Sequence, residues 1–185
     1  MNAALRLSWY KFKHHYMDFV KVLLGIVAFE GLILYIQDKG FLKDFETTRM
    51  TLFLLLFSTS LLIVVQNSIY ISKERSVLNR DFFSGLSRSA FALASMGIHA
   101  FFAVLETIVF ILSYSVFSKF FDKEFPDAGH IFGSYRWEVG ITVLLVFLAS
   151  HFIALFISAL VGKSEITSVI LAVVVGIMQF SLSGT

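Results

Sequence analysis

Two long apolar segments are separated by the charged stretch Ile71-Ser-Lys-Glu-Arg-Ser-Val-Leu-Asn-Arg-Asp-Phe-Phe-Ser-Gly-Leu-Ser-Arg-Ser-Ala-Phe91. Residues 51–70 and 91–117 are each long enough to cross a bilayer, because about 20 apolar residues in a helix span roughly 30 Å of hydrocarbon. The charged stretch must therefore lie outside the lipid, and we expect residues 72–83 to form a short helix there.

The composition is typical of a membrane protein. Hydrophobic residues make up 57% of the chain and charged residues 15%, whereas a soluble domain is about half apolar and about a quarter charged. The mean hydropathy of +0.82 points the same way. The net charge of +2 is too small to indicate a nucleic-acid partner. The chain contains no Cys, which excludes disulfides and thiolate metal sites.

These features predict an all-α, polytopic transmembrane domain over residues 1–185. Residues 1–18 mix aromatic and basic side chains, a composition that indicates an amphipathic helix lying at the membrane interface. Five transmembrane spans follow, at about residues 20–37, 50–71, 91–117, 137–161 and 166–183.

The distribution of Lys and Arg predicts the orientation of these spans. Five spans place the N-terminus, the charged stretch and the turn at residues 162–165 on one side of the membrane. That side carries nine Lys and Arg residues and the opposite side carries six. Because Lys and Arg accumulate in cytoplasmic loops, the N-terminus and the charged stretch are expected in the cytoplasm.

The charged stretch has the pattern of a capped helix that contacts another protein. Glu74 and Asp81 are seven positions apart and share one helix face, and Lys73 and Arg80 share the next face. Gly85 lies where a left-handed residue caps a helix, and Ser87 could cap the third span. Charges of both signs favour a protein surface over anionic lipid. A solvated loop between two spans is the alternative interpretation.

The same stretch resembles the region between the second and third spans of ABC-2-type transporter membrane domains, with the G-type exporters and their bacterial relatives closest. The likeness rests on Glu74-Arg75, Arg80-Asp81 and Gly85-Leu86-Ser87 leading to Phe91, and it extends more weakly over all five spans. The family has six spans, so we expect the sixth to be missing or not covered. Family members often carry an acidic-Pro pair where this chain has His99-Ala100.

This resemblance implies the membrane-spanning permease subunit of an ATP-binding cassette exporter in the bacterial cytoplasmic membrane. It implies a cytoplasmic ATP-binding cassette partner that holds ATP and Mg²⁺, and a second membrane subunit, identical or different. This chain has no P-loop pattern, so we expect neither enzyme activity nor a bound cofactor on it. The residues implied to contact the ATPase are Lys73, Glu74, Arg75, Arg80, Asp81 and Gly85.

Two carboxyl groups lie inside predicted spans, Glu30 in the first and Glu106 in the third. A carboxylate at mid-bilayer costs about 2.5–3.5 kcal/mol on insertion scales, so such groups face protein or water. They could relay protons or contact substrate. Alternatively they fix helix packing, since no basic residue lies at a matching depth. Two other functions follow as alternatives: a proton-coupled transporter or channel using Glu30 and Glu106, or a non-transport membrane scaffold.

Two histidines also lie inside spans, His99 in the third and His151 in the fourth. Histidines in such positions can be metal ligands or pH sensors. We interpret them instead as hydrogen-bonded packing residues, and no metal site is predicted.

Small residues recur in two of the predicted spans. They are Gly25 and Gly31 in span one, and Ser150, Ser158 and Gly162 in span four. Small side chains let helix backbones approach closely in a membrane. We therefore expect tight helix contacts at these positions.

Overall fold

The structure, a computed structural model, describes Tyr10, Lys13 and residues 16–37, 45–122, 131, 133–162 and 164–182. Most of the predicted interfacial helix at residues 1–18 lies outside the described residues. The described ranges contain six helices and no β-strand, so the predicted all-α class is confirmed. The helices are α1 (Tyr16–Ile36), α2 (Phe45–Asn67), α3 (Arg75–Phe83), α4 (Arg88–Phe120), α5 (Tyr135–Val161) and α6 (Glu165–Leu182).

The long helices have the length and composition of membrane spans. Among the described residues, four helices (α1, α2, α4 and α5) are long and apolar enough to cross a membrane, while the apolar part of α6, Glu165–Gln179, is shorter. Large apolar side chains such as Leu24, Leu112 and Leu145 are exposed on the outside of the bundle. Extensive exposed apolar surface of this kind marks a surface that contacts a membrane or another protein.

Four helices pack as a closed ring around one core. Helix α1 contacts α2 and α4, and α5 contacts α2 and α4, so each helix has two neighbours in the ring. Helix α6 packs outside the ring against α2 and α5. Each ring helix contributes to the central hydrophobic cluster, through the buried residues Ile26, Ile63, Phe110 and Phe147.

Small residues lie at helix contacts at Gly25 and Ser150, as the sequence predicted, but not at Gly162, where an added Cβ would meet nothing within 4 Å. A Cβ atom added to Gly25 would lie 2.5 Å from Cδ2 of Leu62, so α1 and α2 are close at this point. The hydroxyl oxygens of Ser60 and Ser150 are 2.7 Å apart and join α2 to α5. Gly162 ends α5 with a φ of +83°, a left-handed conformation that favours glycine.

Candidate functional site

The segment between α2 and α4, residues 68–87, is termed the elbow. It consists of the turn at residues 68–74, helix α3 and the short connection to α4. The helix begins at Arg75, three residues later than the sequence predicted. Before Arg75 the backbone forms turns, in which the N–H groups of Glu74 and Arg75 donate to the carbonyls of Ile71 and Ser72, three residues back. The backbone N–H groups of Ile71 and Ser72 donate to the side chain of Ser158, at 2.8 and 3.1 Å.

The C-terminal end of α3 is closed by a complete cap. Gly85 has a φ of +101°. Its N–H donates to the carbonyl of Phe82 at 3.2 Å, and the N–H of Leu86 donates to the carbonyl of Asp81 at 3.0 Å. This pair of bonds is the Schellman motif, so the predicted left-handed cap at Gly85 is confirmed. Ser87 has the N-cap position of α4, but its side chain makes no capping hydrogen bond.

A buried cluster of serines attaches the elbow to the ends of α5 and α6. Ser72, Ser158 and Ser168 are all buried. Ser158 of α5 accepts the two backbone N–H groups named above, and the hydroxyl of Ser168 in α6 donates to that of Ser72 at 3.3 Å. These bonds satisfy buried polar groups, so the elbow is fixed to two helices that are not its neighbours in sequence.

Two of the predicted charged residues face the bundle. Lys73 Nζ lies 4.0 Å from Oδ2 of Asp18 at the start of α1. Arg75 Nη1 donates to the backbone carbonyl of Ala159 at 2.8 Å. These pairs are partly exposed, so they contribute little stability. They place the start of α1 and the end of α5 beside the elbow, at one end of the bundle.

The outer face of α3 carries Arg80, which is exposed, whereas Asp81 is only partly exposed. Within the described part of the chain, the side chains of Arg80 and Asp81 form no hydrogen bond or ion pair. Phe83 is 93% exposed, whereas Leu78 on the inner side is buried. Of the predicted coupling residues, Lys73 and Arg75 therefore contact the bundle, whereas Arg80 is exposed on the outer face.

A cavity of about 90 Å³ separates the elbow from α1 and α4. Its lining includes the ionisable residues Asp18, Lys73 and Glu74 and the rings of Tyr70 and Phe102. Glu74, the remaining acidic residue of the predicted set, therefore faces this cavity.

A second polar feature lies inside the bundle. Oε2 of Glu106 is 2.8 Å from Nε2 of His151, and Nδ1 of His151 is 3.0 Å from Nδ1 of His99. All three side chains are fully buried. We call Glu106, His151 and His99 the buried triad. The expectation that Glu106 has no basic partner at its depth is wrong, because α5 brings His151 to it.

The sequence contained part of the signal for this triad. His99 and Glu106 are seven residues apart, which places them on one face of α4. The position of His151 opposite that face depends on how α5 is rotated, and no spacing rule gives that rotation. The sequence alone therefore does not group the three residues.

Glu30 lies in a different environment from Glu106. The hydroxyl of Ser113 donates to Oε2 of Glu30, which joins α1 to α4. Glu30 is fully buried, and no hydrogen bond among the described residues links it to the buried triad. The two carboxyl groups thus belong to separate sites. In the described part of the chain, no group of three or more His, Cys, Asp or Glu could hold a metal ion.

Comparison with known proteins defines the class. The sequence matches the model of the family described as ABC-2 type transporter over residues 6–185. The chain belongs to this family of transporter membrane domains. No curated protein and no solved structure matches it. The chain is accordingly an integral, multi-pass membrane protein. It is a permease component of an ABC transporter, and a permease component is not itself catalytic.

Proposed function

We propose that this chain couples ATP hydrolysis by a cytoplasmic ATP-binding cassette partner to export of a substrate across the membrane. The elbow is the element that receives the partner's movement. The observation that supports this role is the division of its two faces. The inner face is bonded to α1, α5 and α6 through Lys73, Arg75 and Ser72, whereas Arg80 on the outer face has no such bond within the described residues.

The anchoring makes the elbow suitable as a lever. Helices α2 and α4 continue from its two ends, so they follow any displacement of α3 directly. Ser158 and Ser168 tie it in addition to α5 and α6. A force applied to the outer face would therefore reach all of these helices. A loop without tertiary bonds would absorb the same force by bending.

The proposed assembly has the chain paired with a second membrane subunit, either a copy of itself or a different chain. ATP and Mg²⁺ bind to the cytoplasmic partner, which performs hydrolysis. The excess of Lys and Arg on the elbow's side of the membrane supports a cytoplasmic elbow and N-terminus. The membrane in question is the bacterial cytoplasmic membrane.

The experiment compares Arg80→Ala with Arg49→Ala in the complex with the partner ATPase, reconstituted in lipid vesicles. Both arginines are exposed, and Arg49 lies near the start of α2, roughly 27 Å along the helix from the elbow. Arg80→Ala is expected to lower ATP-driven transport and stimulated ATP hydrolysis several-fold at unchanged expression, because a charged contact with the partner is lost. Arg49→Ala should leave both rates unchanged. Equal rates in the two variants would refute the role of the outer face.

The same vesicles separate the two other functions. A proton-coupled transporter would lose flux in Glu30→Gln and Glu106→Gln, and depletion of ATP would leave its flux intact. A membrane scaffold would show no flux that depends on either set of residues. The proposed exporter loses flux when ATP is removed.

A further inference from the structure

The geometry of the buried triad is that of a connected chain across two helices. His99 and Glu106 lie on one face of α4, two helical turns or roughly 10 Å apart. His151 of α5 lies between them, with Nε2 2.8 Å from the Glu106 carboxylate and Nδ1 3.0 Å from Nδ1 of His99. Both ring nitrogens of His151 are therefore engaged, each with a different partner.

The short contact between the two imidazoles ties their protonation together. Two Nδ1 atoms at 3.0 Å need one proton between them, so one ring donates and the other accepts. When His99 donates, a neutral His151 carries its proton on Nε2 and donates it to the Glu106 carboxylate. When His151 donates instead, its Nε2 accepts a hydrogen bond from the protonated, neutral carboxyl group of Glu106. The two arrangements differ by one proton in total: in the second, Nε2 of His99 carries the added proton and Glu106 carries the former Nε2 proton of His151.

The polar atoms at the two ends of the triad have no hydrogen-bond partner among the described residues. These atoms are Nε2 of His99 and Oε1 of Glu106, and both are buried. A cluster that serves packing alone normally satisfies its buried polar atoms. Unpaired atoms at the two ends are what a chain needs if a proton enters at one and is held at the other.

The His99 end lies beside the cavity next to the elbow. The ring of Tyr70 packs edge-on against the imidazole of His99, with 4.7 Å between ring centroids. Tyr70 also lines the cavity of about 90 Å³. A cavity of that size has room for water when it contains polar partners, and Asp18, Lys73 and Glu74 provide them. The ring of Tyr70 thus contacts both the His99 imidazole and the cavity next to the elbow.

We propose that the buried triad is a proton-transfer chain that takes up a proton on the elbow side and stores it on Glu106. A proton arriving at Nε2 of His99 releases the Nδ1 proton of that ring to Nδ1 of His151. His151 then gives its Nε2 proton to the Glu106 carboxylate. Both imidazoles are neutral before and after transfer, and Glu106 changes from carboxylate to carboxylic acid.

The charges around the triad support uptake of a single proton. With Glu106 ionised and both imidazoles neutral, the triad carries one buried negative charge, which is costly in a low-dielectric interior. One added proton makes it neutral. The ionisable groups that face this path are Tyr70 at the entrance and the cavity residues Asp18, Lys73 and Glu74. Helix α5 contributes only His151 itself among the described contacts, and Glu30 of α1 is bonded to Ser113 instead.

The test follows Glu106 by infrared difference spectroscopy after a rapid pH change, using the full chain in lipid vesicles. The wild type is expected to show a carboxylic acid C=O band that Glu106→Gln removes and Glu30→Gln retains. His99→Gln keeps a polar side chain that cannot pass a proton, so it should slow protonation of Glu106 at least ten-fold. Glu30 provides the matched control, since it is equally buried but has no histidine contact in the described residues.

Unchanged protonation kinetics of Glu106 in His99→Gln would overturn the proposal, and so would a Glu106 band that does not respond to pH in the folded protein. His99→Asn is the second variant if His99→Gln fails to fold, as judged by gel filtration and circular dichroism. The proposal concerns protons within this chain. Proton transfer through the triad can therefore be refuted without refuting ATP coupling through the elbow. ATP coupling can likewise be refuted without refuting proton transfer.

Discussion

The guanidinium group of Arg75 donates a hydrogen bond from Nη1 to the backbone carbonyl of Ala159, 2.8 Å away. Ala159 lies in the last turn of α5 (Tyr135–Val161), where carbonyl oxygens lack a partner within the helix. The positive charge of Arg75 also meets the negative end of the helix dipole. A side chain of the elbow thereby caps the C-terminal end of a helix that lies more than eighty residues away in sequence.

Replacement of this arginine tests the mechanical link. Arg75→Ala should lower the free energy of unfolding by only about 0.5–1 kcal/mol, yet reduce ATP hydrolysis stimulated by the membrane subunit. Arg75→Lys retains the charge at the helix end and should restore part of the coupling. Thermal unfolding in detergent and ATPase rates in vesicles measure the two effects. Wild-type coupling in Arg75→Ala would argue against the link.

The serine cluster makes a separate prediction for stability. Ser158→Ala leaves two backbone N–H groups of the elbow without their acceptor, which should cost about 1–3 kcal/mol for the buried groups. Ser115→Ala is the matched control, because that hydroxyl donates only to the carbonyl of Ile111 in its own helix. The unfolding midpoints of the two variants are compared in the same detergent. Equal midpoints would contradict the assignment of Ser158 as an anchor.

The cap of α3 is sensitive to any side chain at its glycine. Gly85→Ala forces a Cβ into a left-handed backbone conformation, at a cost of about 1 kcal/mol. Gly97→Ala is the control, because this helical glycine has open space around it and should tolerate or profit from the better helix former. Thermal unfolding reports on the difference. If Gly85→Ala is as stable as Gly97→Ala, the left-handed conformation at Gly85 does not contribute to stability.

Close packing of α1 on α2 is tested at Gly25. A Cβ there would lie 2.5 Å from Cδ2 of Leu62, so Gly25→Ala requires Leu62 to move. Overpacking of this kind costs about 1–3 kcal/mol, against a gain in helix propensity of about 1 kcal/mol. The variant should therefore unfold at a lower temperature than Gly97→Ala. A higher midpoint would mean that the two helices are further apart than the structure places them.

The parts of the fold that sequence reasoning predicted are those that local rules determine. Hydrocarbon thickness fixes the length of an apolar helix, so the long helices could be read from the apolar runs. The cap at Gly85 follows from the need for a residue that adopts positive φ. The charged residues of the elbow belong to one local motif, and the family was recognised from them.

The parts that were not predicted depend on how helices are rotated about their axes. Ser72 meets Ser158 and Glu106 meets His151 only because α5 presents one particular face to its neighbours. That rotation results from the packing of the whole bundle, and no short stretch of sequence specifies it. For the same reason, sequence could not separate Arg75, which binds the bundle, from Arg80, which does not.

The central claim is that the outer face of the elbow contacts an ATP-binding subunit. The chain contains no Cys, so Ser84→Cys, at an exposed position beside α3, can carry a thiol-linked photocrosslinker as the single reactive site. Lys119→Cys at the opposite end of α4 is the control. A crosslink from Ser84→Cys to an ATP-binding cassette subunit is expected in native membranes, and none from Lys119→Cys. A crosslink to that subunit from Lys119→Cys alone would contradict a contact at the outer face of the elbow.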